Sequence, residues 1–123
     1  MNIVFLAGPY RGKGEPGEIA RNIEQSARFQ AALARAGVVA YSPNIHDSQW
    51  EVIRKERSEA AKTLKQFTEM VLRDLATALA VMPGWETSVG TKVEIEFATK
   101  KGIPIFYLES EDDFGELKEW YHR

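Results

Sequence analysis

The chain has 123 residues, no cysteine and a formal net charge of −2, so we expect one domain over residues 1–123 without a disulfide scaffold, a thiolate zinc site or a cysteine nucleophile. The charge gives no general attraction to nucleic acid or anionic lipid. No apolar run approaches the roughly 20 residues of a membrane helix. We therefore expect a cytoplasmic domain that binds neither nucleic acid polymers nor membranes, and with two histidines we expect no metal site.

The first half of the chain predicts two strands and two helices. Residues 3–7 (IVFLA) form an apolar run that ends at Gly8-Pro9, which is typical of a strand buried on both faces. A Gly-rich loop leads into a predicted helix over 18–36, and 38–41 predict the second strand. After a polar and aromatic connection, a charged helix is predicted over 56–76. The residues expected to face inward from the two helices are Ile19, Ile23, Ala27, Phe29, Leu33, Ala36, Leu64, Phe67, Val71 and Leu72.

The second half continues the alternation of strand and helix. Residues 79–82 predict the third strand, 91–101 a helix that stops at Gly102, and 103–108 the fourth strand, before a short last helix. This order predicts an α/β fold with a parallel sheet of four to five strands and helices on both faces. Ligands bind such sheets at the carboxyl ends of the strands, where the strand order reverses. We place that point between the first and third strands, so the loops 8–14 and 83–90 should face each other across one crevice.

The first of these loops spells G-x-G-x-x-G with Gly12, Gly14 and Gly17. A dinucleotide site is disfavoured because the motif starts late and Tyr41, not an acid, ends the second strand. A P-loop is disfavoured because the spacing is one residue short and Gly14 replaces the magnesium-binding Ser or Thr. Two interpretations remain. Backbone N–H groups, Arg11 and the next helix N-terminus hold one phosphate, or the loop is a surface turn with solvated charges.

The second loop leads into a helix that carries Glu94. Gly90-Thr91 at the helix start offers N–H groups and the positive end of the helix dipole. Glu94 lies on the apolar face of the predicted helix, so its carboxylate should point into the crevice. The competing interpretation is a capping box with Thr91 at the cap and Glu94 three residues on, which closes the carboxylate on its own helix.

Other polar and aromatic residues are weaker candidates. Asp74 precedes the third strand and is either exposed or held there for a purpose. Asn44 and His46 follow the second strand beside the crevice, although a lone His in a loop is more often structural than catalytic. Aromatic rings can stack on a planar base or simply pack, and the candidates are Tyr10, Trp50 and Trp85.

Three segments together carry a resemblance to a known family. They are 5–12 (FLAGPYRG), 88–95 (SVGTKVEI) and the Gly102-Ile103-Pro104 ending, with 82–86 (MPGWE) similar to a Leu-Pro-Gly-Trp segment of its small members. In these segments the chain resembles the nucleoside 2-deoxyribosyltransferase superfamily. The resemblance implies a flavodoxin-like α/β (Rossmann-like) sandwich, cleavage of N-glycosidic bonds without a cofactor, and a homodimer or larger homo-oligomer. In Pro83-Gly84 and residues 90–94 the chain also partly resembles the cytokinin-activating phosphoribohydrolases.

The same resemblance assigns roles to residues. Glu94 occupies the nucleophile position, while Ser88 and Arg11-Gly12 bind a 5′-phosphate. An acid before the third strand assists the leaving base, and either Asp74 or Glu69 matches it. The other expected substrate contacts are Gly8, Tyr10, Tyr41, Asn44, His46, Trp85 and Gly90.

The chemistry of the residues agrees with this resemblance, because a carboxylate and a second acid can cleave a glycosidic bond together. We therefore expect an N-glycosidase that acts on (deoxy)nucleoside 5′-monophosphates. The alternatives are a transferase that moves deoxyribose between bases, a module that binds nucleotides without turnover, and a domain that only binds a partner.

Overall fold

Four parallel strands form the centre of the molecule, in the order β2-β1-β3-β4. A computed structural model describes residues 1–46 and 59–123. The strands are β1 (Val4–Ala7), β2 (Ala40–Tyr41), β3 (Ala78–Val81) and β4 (Ile105–Tyr107). The strand order reverses between β1 and β3, at the point that the sequence predicts.

Five α-helices, one π-helical turn and one 3₁₀ turn accompany the strands in the described part of the chain. The helices are α1 (Glu18–Arg35), α2 (Pro43–His46), α3 (Glu59–Met70), α4 (Val89–Lys101) and α5 (Gly115–Tyr121). A π-helical turn, Val71–Leu75, continues α3, and a 3₁₀ turn, Trp85–Thr87, precedes α4. None of the helices in residues 1–46 and 59–123 is long and apolar enough to cross a membrane.

Successive residues of β1 face opposite sides of the sheet and so belong to two separate cores. Val4 and Leu6 pack with Phe29 and Leu33 of α1 and Leu117 of α5. On the other side, the second core combines strand residues with the π-helical turn and α4, and its buried members are Phe5, Ala7, Val71, Leu72, Ala76, Leu79, Val81 and Ala98. Helices therefore cover both faces, and the predicted flavodoxin-like three-layer α/β sandwich is confirmed.

Two side chains expected to face inward are exposed instead. Ala27 lies on the outer side of α1, because the helix buries the side that carries Ser26, Phe29 and Leu33. Phe67 is 42% exposed. Its ring stacks on His46 with a centroid distance of 4.9 Å and lies 5.9 Å from that of Tyr41 in the edge strand β2, so it packs among these rings and not among the buried core residues. The predicted helix start over 56–58 lies outside the described residues.

Lys101, at the end of α4, donates hydrogen bonds to the π-helical turn and the residue after it. Its Nζ donates to the carbonyl oxygens of Leu72, Arg73 and Ala76 at 3.2, 2.6 and 3.1 Å. Because the end of a helix leaves carbonyl groups without intrahelical donors, a lysine there satisfies several of them together. This contact fixes the segment that carries Leu72 and Arg73 to the end of α4.

Candidate functional site

A cavity of about 980 Å³ opens beside the reversal of strand order. The segment after β1, the start of α4 and one side of α3 form its walls. Of the residues that the sequence predicts as a site, the cavity is lined by Gly8, Tyr10, Arg11, Gly12, Asn44, Glu69, Ser88, Gly90 and Glu94. The loops predicted to face each other therefore do contribute to one cavity.

The start of α4 differs from the predicted capping box. Ser88, not Thr91, is the N-cap: its Oγ accepts hydrogen bonds from Thr91 N at 3.2 Å and from Thr91 Oγ1 at 2.9 Å. Thr91 is itself inside the helix and 1% exposed. Glu94 then lies in the second turn, so the capping box is wrong. The carboxylate is not closed on a Thr91 cap, and Glu94 lines the cavity.

The first turn of α4 presents donors to the cavity. The N–H groups of Val89 and Gly90 occupy the first helical positions, which have no acceptor within a helix, and both residues line the cavity. Since Ser88 Oγ accepts both of its hydrogen bonds from Thr91, its own O–H remains available as a donor. The positive end of the helix dipole lies at the same place, so this turn favours an anion.

The Glu18 carboxylate binds the second part of the loop after β1, while the first part lines the cavity. The carboxylate of Glu18 accepts from Lys13 N at 3.0 and 3.1 Å and from Glu15 N at 3.0 Å. These bonds, from Lys13 first, lower the pKa of Glu18 below its usual value. The N–H groups of Lys13 and Glu15 thus bind an internal carboxylate, and that of Gly14 donates to Arg11 O at 3.1 Å. Of the predicted phosphate cradle, Arg11 and Gly12 line the cavity.

Gly12 is required by this arrangement. Its φ is +60°, and a Cβ at this position would collide with the Glu18 carboxylate. Arg11 follows Tyr10, whose ring centroid lies 6.0 Å from the guanidinium carbon. The loop therefore holds a cation and an aromatic ring together at the mouth of the cavity.

Amide side chains of α1 donate hydrogen bonds to main-chain carbonyl oxygens of both loops. Asn22 Nδ2 donates to Tyr10 O at 2.9 Å, and Gln25 Nε2 donates to Pro83 O at 3.1 Å. Buried Ser26 donates to Asn22 O at 2.9 Å. These α1 residues were not among the candidates predicted from the sequence. The available signal was their polar character within a helix that packs on the sheet.

Of the two acids proposed to assist a leaving base, Glu69 lines the cavity. Asp74 is outside its lining, and it accepts from Arg73 at 3.0 and 2.9 Å. That hydrogen-bonded guanidinium lowers the pKa of Asp74, so the side chain stays ionised. The geometry favours Glu69, with Lys65, Thr68 and Arg73 as further wall residues that the sequence did not indicate.

The remaining aromatic candidates pack outside the cavity lining of the described residues. Tyr41 contacts Phe5, His46 and Phe67 through ring distances of 5.8, 5.7 and 5.9 Å. The ring of Trp85 lies 5.4 Å from that of Tyr107. Trp50 lies outside the described residues. Tyr10 is therefore the aromatic candidate from the sequence that borders the cavity.

Within residues 1–46 and 59–123, no group of three or more His, Asp or Glu side chains is placed to hold a metal ion. A family model described as a domain of unknown function (DUF1937) matches residues 2–110. No curated protein matches the sequence at a significant level. The geometry of the cavity must therefore carry the functional argument.

Proposed function

The chain belongs to the DUF1937 family, and we propose that it is an N-glycosidase that cleaves the base–sugar bond of (deoxy)nucleoside 5′-monophosphates. One observation carries the proposal. Two carboxylates, Glu69 and Glu94, line the same cavity as a cation, Arg11, and the donor-rich first turn of α4. A cavity that combines paired acids with an anion site suits a phosphorylated glycoside.

The phosphate binds at the start of α4. The N–H groups of Val89 and Gly90 donate to its oxygens, the Ser88 hydroxyl adds a third donor, and Arg11 supplies the opposite charge from the other loop. The helix rises 1.5 Å per residue, so Glu94 lies about 9 Å along the axis from Ser88. A phosphate at Ser88 therefore places the sugar beside Glu94.

Glu94 attacks the anomeric carbon. As the C1′–N bond breaks, its electron pair goes to the base nitrogen, and a bond forms between C1′ and a Glu94 oxygen. Glu69 gives its proton to the departing base. Water then attacks C1′ with Glu69 as the base, which releases the sugar phosphate and restores both carboxyl groups. The reaction needs no metal or organic cofactor.

The base lies against the wall formed by Tyr10 and Asn44, where a ring face and a buried amide are available. Tyr41, His46 and Trp85, expected from the sequence as base contacts, have no part in the proposed site.

An exposed apolar stripe beside the cavity supports assembly of the proposed enzyme as a homodimer. Val89, Val93 and Phe97 follow each other at four-residue spacing on α4, with 78%, 59% and 36% of their surface exposed in the described part of the chain. All three also line the cavity. A second copy that covers this stripe would bury apolar surface and close the mouth of the cavity.

The test is a chromatographic screen of nucleosides and their 5′-monophosphates for released base, followed by Glu94→Gln. We expect base release from monophosphates and a loss of at least about 100-fold in kcat/KM in the variant. Glu96→Gln is the matched control. Glu96 lies on the same helix, is exposed and pairs with Lys100 at 3.2 Å, so this variant should keep full activity.

Two outcomes would redirect the proposal. Binding of monophosphates without any base release would indicate a module that sequesters nucleotides. Formation of a new nucleoside when a free acceptor base is added would indicate a deoxyribosyltransferase. No binding of any compound in the screen would refute the proposed substrate class.

A further inference from the structure

Asn44 is a buried residue in the wall of the cavity, and in the described part of the chain only the donor half of its amide is hydrogen-bonded. The residue is 5% exposed and lines the cavity. Its Nδ2 donates to Pro9 O at 2.9 Å and to Ser26 Oγ at 3.0 Å. Within residues 1–46 and 59–123, no donor reaches its Oδ1. A buried amide oxygen without a donor is costly unless a ligand or water supplies one.

The neighbours of Asn44 fix which end of the amide is the acceptor. Pro9 O is a carbonyl oxygen and can only accept, so Nδ2 must face it. Ser26 uses its own hydroxyl proton on Asn22 O at 2.9 Å, so toward Asn44 it also accepts. Both hydrogens of Nδ2 are thus used, and a flipped amide would lose both bonds. The side chain is held in one orientation, in which Oδ1 is the acceptor that can still take a hydrogen bond.

We propose that Asn44 Oδ1 accepts a hydrogen bond from an N–H or O–H of the substrate and thereby selects substrates that carry this donor. The inference rests on the proposed function and adds a specificity determinant to the same site. A buried acceptor discriminates strongly, because an analogue without the donor leaves it unpaired while a carbonyl in that place would repel it.

Two parts of a nucleotide could supply the donor. One is the base, through an exocyclic amine or a ring N–H, and the other is the sugar, through its 2′- or 3′-hydroxyl. Asn44 bonds to Pro9 next to Tyr10, and Tyr10 O is in turn held by Asn22 at 2.9 Å. The acceptor and the main chain of Tyr10 are therefore held by one network, and matched ligand pairs decide between the two donors.

The experiment is calorimetric binding of matched ligand pairs to the intact protein. The base pairs are adenosine against purine riboside and uridine against 3-methyluridine, and the sugar pairs are adenosine against its 2′-deoxy and 3′-deoxy forms, all as 5′-monophosphates. We expect one pair to differ by at least about 10-fold in Kd in the wild-type protein. The pair that differs identifies the donor.

Three variants separate recognition from structural support. Asn44→Leu removes the acceptor and should bring that ratio close to one. Ser26→Ala removes one partner of Nδ2 but leaves Oδ1, so the ratio should persist even if both ligands bind more weakly. Asn44→Ala also removes the acceptor, without adding bulk, and should likewise bring the ratio close to one, which gives a result even if Asn44→Leu fails to fold.

The proposal is overturned if no pair differs in the wild-type protein. It is also overturned if Asn44→Leu or Asn44→Ala weakens both members of a pair equally and so keeps their ratio. These results differ from failure of the proposed function, which shows as monophosphates that bind without base release or do not bind at all.

Discussion

Replacement of Ser88 by alanine tests the capping role that the structure shows for its hydroxyl and the phosphate-binding role that we propose for it. Ser88 caps α4 and accepts hydrogen bonds from the main chain and the side chain of Thr91. In the proposed function, the proton of the same hydroxyl is donated to the phosphate. We predict that Ser88→Ala lowers both the stability of the fold and the affinity for monophosphates, and that the two losses can be separated.

The size of the stability loss follows from the contacts. Removal of a serine N-cap costs about 1 kcal/mol. Thr91 Oγ1 is buried, with its residue 1% exposed, and it would lose its acceptor, at a cost of about 1–3 kcal/mol. The variant should therefore unfold with a free energy about 2–4 kcal/mol lower. In a chain of this size each kcal/mol lowers Tm by about 3–5 °C.

The loss of binding should depend on the phosphate. A hydrogen bond to a charged group contributes about 1.5–3 kcal/mol, so monophosphates should bind about 10- to 100-fold more weakly. Nucleosides, which lack the phosphate, should bind with little change. Calorimetry with a nucleoside and its 5′-monophosphate measures the difference directly.

Two substitutions at the same position serve as controls. Ser88→Thr keeps the hydroxyl and should preserve both stability and affinity. Ser88→Gly is a tolerable N-cap, so its stability should lie between alanine and serine while its phosphate affinity stays low. Equal losses for nucleoside and monophosphate in Ser88→Ala, or recovery of phosphate affinity in Ser88→Gly, would refute this reasoning.

Two further predictions concern the supports of the site. Bonds from Lys13 and Glu15 lower the pKa of Glu18 in the folded state, so its stabilising effect is full above the usual value of 4.5 and is lost as the pH falls through the lower folded value. The Tm difference between the wild type and Glu18→Gln should therefore shrink between pH 7 and pH 3 in thermal melts, and a constant difference would contradict the role of the charge. Lys101→Met removes three bonds to carbonyl oxygens and should cost about 1–3 kcal/mol in urea unfolding. Lys100→Met, at an exposed pair, should cost less than about 1 kcal/mol, and equal costs would argue against the anchoring role.

The alternation of apolar runs and helical patterns was enough to predict the sheet. A strand buried on both faces is a continuous apolar run, so 3–7 and 79–82 were readily recognised and the observed strands differ by a residue or so. The edge strand β2 is two residues long, shorter than predicted. At an edge, pairing occurs on one side only, and the apolar pattern extends beyond the paired residues.

The start of α4 could not be fixed from the sequence, because Ser88 and Thr91 are both good N-cap residues and stand three positions apart. The choice between them depends on the 3₁₀ turn, Trp85–Thr87, that delivers the chain to Ser88. This choice alone decides whether Glu94 would be a capping residue or a wall residue. A local pattern gave two self-consistent answers, and only the path of the preceding loop separates them.

The position of the second acid depended on a similar local feature. Helical periodicity extends through 56–76, but the structure changes from α to π geometry at Val71. A π-helical turn holds an extra residue, so side chains after it are rotated relative to an α-helical register. Glu69 lies before the change and lines the cavity, while Asp74 lies within the π-helical turn and pairs with Arg73. Propensity does not reveal such a turn, since Val71–Leu75 contains ordinary helix residues.

The starts of α1 and α4 differ in whether the chain supplies an anion of its own. Both α1 and α4 begin after loops that contain glycine, and both present N–H groups with a positive dipole end. Before α1 the loop N–H groups of Lys13 and Glu15 donate to Glu18, an anion that the chain supplies from the first residue of the helix. At α4 the cap is the neutral Ser88, and the first-turn N–H groups border the cavity. A second acid at position 88 would fill that place, so a neutral cap is what keeps the turn suited to a phosphate.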